Sequence, residues 1–487
     1  MPAGIQGRPF IQPGACVIRI PLSRSAVMAL LILRAAVAAG PPDSLPPRLL
    51  VGYWHNFTDG AGGFPLAGVP PAYDVVDVAF AEASPSGSTI TFIPAPTIYP
   101  SSLDFIADVA ALKARGKKVL ISIGGANSVV QLKNETDIQS FVSSMSSIIT
   151  TFGFDGVDID LEGPSISLIN GDTDFRNPTS PEIVNMIRAV NLLIDQFPNL
   201  LLTMAPETAH VQGGISKYEG TFGAYLPLIY ALRTRLTFIH VQDYNTGSMY
   251  GRDGKVYQPG TADFHAAMAD ALLAGFPVDV FKQKSNSFPA LAQNQVLIGL
   301  PASTNAAGSG FTPSSVMLSV LDYLMKGKPY GGSYHIANPK GYWGFRGLMT
   351  WSINWDVFSN LQFSNAYRTY LDTVVTAIEP GQISNLEPSG FALDQNYPNP
   401  FNPSTVIGMR WPASSRVKLA VYDMLGRQVS VLMDGVYTAG KYTETFDARG
   451  LASGVYLCRL SVNPLASAAE HDGGRPFVAS RFMTLVK

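Results

Sequence analysis

The sequence is short of charge and short of cysteine. Lys, Arg, Asp and Glu make up 14% of its 487 residues, well under the roughly 25% of an average domain. They nearly cancel, 34 basic against 36 acidic, and leave a net charge of −2. Without a basic excess, nothing in the composition points to nucleic acid or an anionic membrane as partner. Hydrophobic residues at 46% exclude a disordered chain. Two cysteines, Cys16 and Cys458, cannot build a disulfide framework or a four-thiolate zinc site. Metal-ligand spacing is absent, and His55, His210 and His240 read as polar wall or satisfied core residues. No metal and no cofactor are expected, and a monomer is.

What is present divides the chain. Residues 1–39 combine a flank with Arg8, Arg19 and Arg24, an apolar run from Ser25 to Leu33 and a small-residue site at Ala36-Val37-Ala38. This is the pattern of a secretory signal peptide. Cleavage near residue 39 removes Cys16 and leaves Cys458 alone. From residue 48, near-continuous apolar runs predict eight strands: Arg48–Phe57, Asp74–Ala83, Lys117–Gly125, Gly153–Glu162, Leu201–Thr208, Leu236–Asn245, Gln295–Ser303 and Gly347–Asp356. Helical stretches alternate with them at Ser102–Arg115, Ile138–Thr151, Ser180–Gln196, Ala262–Leu273 and Pro313–Met325. Such alternation predicts an α/β fold, a (β/α)8 TIM barrel over residues 48–372; a doubly wound open sheet is the alternative. Residues 373–390 read as a linker. Beyond it, short strands at Val406–Trp411, Val417–Asp423, Lys441–Asp447, Gly454–Leu460 and Phe477–Val486 predict a small all-β immunoglobulin-like sandwich over 391–487, with an inserted polar loop at Ser467–Arg475.

The most informative segment runs from Phe154 to Gly163, where Asp158, Asp160 and Glu162 alternate with Val157, Ile159 and Leu161. On a strand this spacing puts three carboxyls on one face, aimed into the barrel at the C-terminal end of its fourth strand. Acids that close cannot all ionise freely, so a proton is shared and one pKa is raised. A raised carboxyl is what a general acid needs. From spacing alone a divalent-metal site and structural acids stay open beside acid–base catalysis.

Asp155-x-x-Asp158-x-Asp160-x-Glu162 resembles the DxxDxDxE signature of glycoside hydrolase family 18, the chitinases. The resemblance spans residues 48 to about 372. Ser122-Ile-Gly124-Gly125 is similar to the family's third-strand motif, Met204-Ala-Pro-Glu207 to the fifth and Gln242-Asp-Tyr244-Asn245 to the sixth. Trp351 matches the eighth-strand tryptophan, and Leu161 stands where many members have Trp. The resemblance implies hydrolysis of β-1,4 bonds in chitin or N-acetylglucosamine oligosaccharides, with retention by substrate-assisted (oxazolinium) catalysis. It implies Glu162 as acid and then base, and Asp160 as orienter of the acetamido group, tuned by a proton shared with Asp158. Tyr244 is implied as donor to that group. Asp155, which would hold the strand end, is grouped with Ser122, Gly124, Gly125, Met204, Glu207, Gln242, Asn245, Trp351, Tyr53 and Phe80 as substrate-binding. Because some members are lectins lacking the terminal Glu, the presence of Glu162 speaks for catalysis. An endo-β-N-acetylglucosaminidase acting on N-glycans has the same carboxylate pattern.

Some 44 residues separate Ser303 from Gly347, little room for the α+β insertion that walls deep clefts in the family, so an open groove and endo cleavage are expected. Among Trp54, Tyr250, Tyr342, Trp343 and Trp355 the sequence does not choose between sugar binding and packing. Tyr397-Pro-Asn-Pro-Phe-Asn-Pro-Ser-Thr405, with Val421–Arg427 and Leu451–Tyr456, resembles the C-terminal sorting domain of type IX secretion. That implies the type IX machinery as a partner and a secreted or cell-surface location.

Overall fold

A computed structural model describes residues 45–282, 286–376, 391–411, 415–437, 440–464 and 476–486. The expected signal peptide, Cys16, most of the linker and the polar loop at Ser467–Arg475 lie outside the described residues.

Eight parallel strands close into a barrel: β1 Leu49–His55, β2 Val75–Ala83, β3 Lys118–Gly124, β4 Gly156–Asp160, β5 Leu201–Met204, β6 Phe238–Gln242, β7 Val296–Pro301 and β8 Gly347–Trp351. Each pairs with the next, and β8 returns to β1 through Leu49↔Gly347 to Gly52↔Thr350, which excludes the open sheet. Every strand is buried on both faces, hence the unbroken apolar runs. One face packs under the helices. The other fills the barrel with Leu49, Val51, Val75, Leu120, Phe238, Leu297 and Met349.

Helices follow seven of the strands. Apart from the single turn Thr208–Val211 after β5, they are α1 Ser102–Ala114, α2 Glu135–Phe152, α3 Pro181–Gln196, α4 Leu226–Leu232, α5 Ala262–Ala274, α6 Ser314–Lys326, then α7 Ile353–Phe358 and α8 Gln362–Thr376 after β8. Between β1 and β2 there is only the 3-10 turn Leu66–Gly68. Side-chain oxygens of Ser101, Asn134 and Thr261 cap α1, α2 and α5, each satisfying an orphan N–H of the first turn. Ser180 stands at the N-cap of α3, but its hydroxyl donates to Asp172 Oδ2 at 2.6 Å instead of capping. The expected eighth strand ends early. Ser352 leaves the strand and caps α7 by accepting from Trp355 N. Helix α8 runs to Thr376, into the start of the expected linker.

The C-terminal residues form two antiparallel sheets. Strands β9 Ala392–Leu393, β10 Ser404–Trp411 and β13 Gly440–Asp447 make one, in the order β9-β10-β13. The other has the order β12-β11-β14-β15, from β11 Ser415–Asp423, β12 Gln428–Tyr437, β14 Gly454–Pro464 and β15 Phe477–Leu485. Ile407, Met409 and Trp411 share one buried cluster with Val417, Leu419, Val421, Leu460 and Val462, the arrangement of a sandwich core. Cys458 lies in that cluster, and burial pushes its thiol up to about 12, an inert small hydrophobe.

Candidate active site

Asp158 lies at the centre of the barrel, fully buried. Its Oδ2 accepts from Tyr53 of β1 at 2.5 Å and Ser122 of β3 at 2.7 Å, and its Oδ1 from Thr203 of β5 at 2.7 Å. His240 of β6 approaches Oδ1 to 3.2 Å. Burial works against its charge, but His240 and these donors outweigh it and hold the carboxyl below the usual range.

Two residues on, Asp160 has the opposite character. It is pushed well above the usual range, by burial first and then by Glu162, Asp158 and Glu207. Glu162 follows the strand end, ahead of a 3-10 turn at Gly163–Ser165. Burial raises it too, with Glu207 adding and Gln242 subtracting. Gln242, the last residue of β6, ties the two acids together. Its amide donates to Asp160 Oδ1 at 2.9 Å, Glu162 Oε1 at 3.0 Å and the Ala205 carbonyl at 2.9 Å. Among the described residues no hydrogen bond joins Asp158 directly to Asp160. The set thus places one carboxyl held below the usual range beside two pushed above it.

Tyr244 is buried near these acids. Burial, then Asp160, Glu162 and Asp158, push its phenol well up, so the hydroxyl stays a donor. Asp243 beside it is clamped from behind. His265 Nδ1 meets Asp243 Oδ2 at 2.8 Å, and His265 Nε2 meets Thr312 Oγ1 at 2.7 Å. Asn245 turns the chain at φ 48° and accepts from Gly308 N at 2.8 Å. Glu207 lies at the rim, 3.2 Å from His210 Nδ1.

An aromatic floor adjoins the acids. Trp351 stacks on Phe80, with centroids 5.8 Å apart and planes 17° off, and packs against Tyr53 at 5.5 Å. His55 extends it, stacked on Phe57 at 4.4 Å and 4.8 Å from Trp351. Burial lowers the imidazole of His55 to about 4, so it stays neutral and serves as part of the floor. A Cβ on Gly125 would fall 2.8 Å from the Phe80 ring, and one on Gly124, at φ 108°, would fall 2.2 Å from the Asp160 carbonyl. Both glycines are therefore needed to bring β3 against the acids.

Two expected substrate contacts lie elsewhere. Asp155 is at the opposite end of β4, where its carboxylate accepts from Val119 N at 3.0 Å and pairs with Lys113 at 3.2 Å. Met204 follows the inward Thr203, so strand alternation turns it outward into the cluster beneath the helices. Leu161 is likewise buried in that outer cluster. Among the aromatics left open, Trp54 and Tyr342 are core residues, while Tyr250, Trp343 and Trp355 are half-buried.

Sequence reasoning did not find Asp77. It is fully buried in β2, and its Oδ2 lies 3.6 Å from His240 Nε2. Asp77, Asp158 and His240 offer ligand atoms within 4.8 Å of one another, a spacing that could hold a cation. The chemistry of the donor set fits a cation poorly, since both oxygens of Asp158 already accept hydroxyl hydrogen bonds.

Residues 49–356 match the family described as Glycosyl hydrolases family 18. The chain belongs to that family. It is 50% identical over 356 residues to "Chitinase D" of Niallia circulans, covering 72% of this chain and 67% of the relative. "Chitinase Chi52" of Paenibacillus xylanexedens is also 50% identical, over 338 residues that cover 69% of this chain and 64% of the relative. The chain thus spans about two thirds of the length of these curated relatives. The crystal structure of a family GH18 chitinase from Chromobacterium violaceum superposes with a TM-score of 0.61 at 38% identity, over 67% of this chain and 84% of that one. Residues 395–467 match a secretion system C-terminal sorting domain, which marks a secreted or cell-surface protein. In the family's terms, the acids at the end of β4 stand where TIM-barrel enzymes carry their chemistry.

Proposed function

We propose that the chain is a secreted chitinase that cleaves β-1,4 bonds between N-acetylglucosamine units with retention of configuration. The observation that carries this reading is the Gln242 amide held between Asp160 and Glu162 at 2.9 and 3.0 Å, beside a Glu162 whose burial keeps it prone to protonation. Glu162 protonates the glycosidic oxygen, and the bond to C1 breaks. The acetamido oxygen of the same sugar closes on C1, forming the oxazolinium ion in place of an enzyme ester. Asp160 accepts from the acetamido N–H and balances the positive charge, Tyr244 donates to the acetamido group, and Trp351 supports the apolar face of the sugar. Glu162 then takes a proton from water, which attacks C1 and opens the ring.

Cleavage is of the endo type. Between Pro301 and Gly347 the described secondary structure is the single helix α6, so no added domain walls the groove on that side. The sorting domain engages the type IX secretion machinery, and the mature enzyme acts as a monomer.

The test is product analysis on N-acetylglucosamine oligomers, with wild type and Glu162→Gln compared. Release of the β-anomer of short oligomers, lost by at least about 10³-fold in the variant, is expected. A folded wild type that releases high-mannose glycans from glycoproteins and leaves chitin oligomers intact would make it an N-glycan endoglycosidase. Binding without any cleavage would make it a lectin.

A further inference from the structure

The acids of the β4 end rest on a second polar group deeper in the barrel, which the reaction outlined above does not use. Asp77 and His240 come from β2 and β6 and meet only because the barrel closes. Both are fully buried. His240 Nε2 faces Asp158 Oδ1 at 3.2 Å and Asp77 Oδ2 at 3.6 Å. Neither oxygen of Asp77 accepts a hydrogen bond from a described residue. A carboxyl kept dry and without donors is costly. A barrel interior otherwise filled by Leu49, Val75, Leu120, Leu297 and Met349 has no packing need for it.

We propose that Asp77 and His240 are positioning residues: His240 is shared between Asp77 and Asp158, and this shared contact fixes the Asp158 carboxyl beside Asp160 and favours its ionised form. The inference rests on the chitinase reading. Asp77 Oδ2 stands beside the same Nε2 that faces Asp158, so its carboxyl abuts the imidazole edge turned toward Asp158. Burial and then Asp158 push Asp77 well above the usual carboxyl range. The titratable groups facing Asp158 are Tyr53, Asp77, Asp160, Tyr225, His240 and Tyr244. The interior neighbours from β7 and β8, Leu297 and Met349, carry no charge. His240 is therefore the one side chain in the group that favours the ionised Asp158 through charge, and its loss leaves Asp158 harder to ionise.

The experiment compares His240→Asn and Asp77→Leu with the wild type on chitin oligomers across pH. In His240→Asn the acid limb of the kcat profile moves up by about one pH unit, with kcat at pH 5 down roughly tenfold and KM within about twofold. Asp77→Leu gives a smaller shift in the same direction. Its thermal midpoint does not fall, because an apolar residue of similar volume replaces a buried acid without donors. A purely structural role predicts the opposite split: altered stability and an unmoved profile in both variants. Should His240→Asn fail to fold, Asp77→Leu carries the test. The imidazole ¹⁵N shifts of His240, read without substrate in wild type and Asp77→Leu, must differ; identical shifts overturn the pairing. That readout is independent of turnover, so a wild type inactive on chitin sinks the substrate reading alone.

Discussion

The backbone N–H of Gly125 donates to the carbonyl of Asp160 across 2.8 Å, locking the end of β3 onto the residue between the other two acids. The contact is possible because Gly124, one residue earlier, takes φ 108° with the Asp160 carbonyl where a Cβ would stand. Gly124→Ala must break it. We expect a loss of at least about 3 kcal/mol from strain and clash together, and a fall in kcat of about 10²-fold from displaced acids. Thermal unfolding and kinetics on chitin oligomers check both.

Gln242 lowers both Asp160 and Glu162 by donating to them. In Gln242→Leu the two carboxyls lose that donor and their pKa values rise further. Glu162 then keeps its proton to higher pH, and the basic limb of the kcat profile moves up. Activity at the optimum falls about 10-fold to 10²-fold as the acids lose their alignment. A basic limb that moves down contradicts this account.

Asp158 and Asp160 should contribute to stability with opposite pH dependence. Asp158 is held low by His240 and its hydroxyl donors. The stability it adds is present above its ordinary value of about 3.9 and is lost as pH falls through the lowered pKa. Asp160 is raised, first by burial. Its contribution is full below about 3.9 and is lost as pH rises through the raised pKa. Asp160→Asn is therefore expected to raise the thermal midpoint at pH 8 by about 2–4 °C or more, with the gain shrinking toward pH 4. Asp158→Asn should lower it at pH 7. Calorimetry over pH separates the two.

Asp155 tests the other end of the barrel. Asp155→Ala removes the acceptor of Val119 N and the partner of Lys113. It should cost about 1–3 kcal/mol of stability while kcat and KM stay within about twofold. A selective loss of turnover in a stable protein would return Asp155 to the substrate site.

The barrel was legible because its strands are buried on both faces and read as plain apolar runs. The three acids were legible because period-two spacing on one strand needs no tertiary information. The same rule turns Met204 outward beside an inward Thr203, a distinction a motif match ignores. Asp155 belongs to the motif of the three acids, yet it precedes the strand and faces the opposite end. Helix α8 was not foreseen, as its Thr369-Tyr-Leu-Asp-Thr-Val-Val375 stretch is poor in strong helix formers and relies on packing. Strand β12 was hidden by the Gly435 and Asp434 near its end. The Asp77–His240 pair had no local signal at all. The two residues are far apart in the chain, and only closure of the barrel gives them a common neighbour.

Asp158 in solution would be wrapped in water that reorients whenever charge nearby changes. In the barrel that coat is made of Tyr53, Ser122, Thr203 and His240, anchored on four different strands and unable to turn away. A cation forming at the sugar ring would then meet dipoles that were oriented when the chain folded, and the cost of arranging them falls on folding and not on each catalytic cycle.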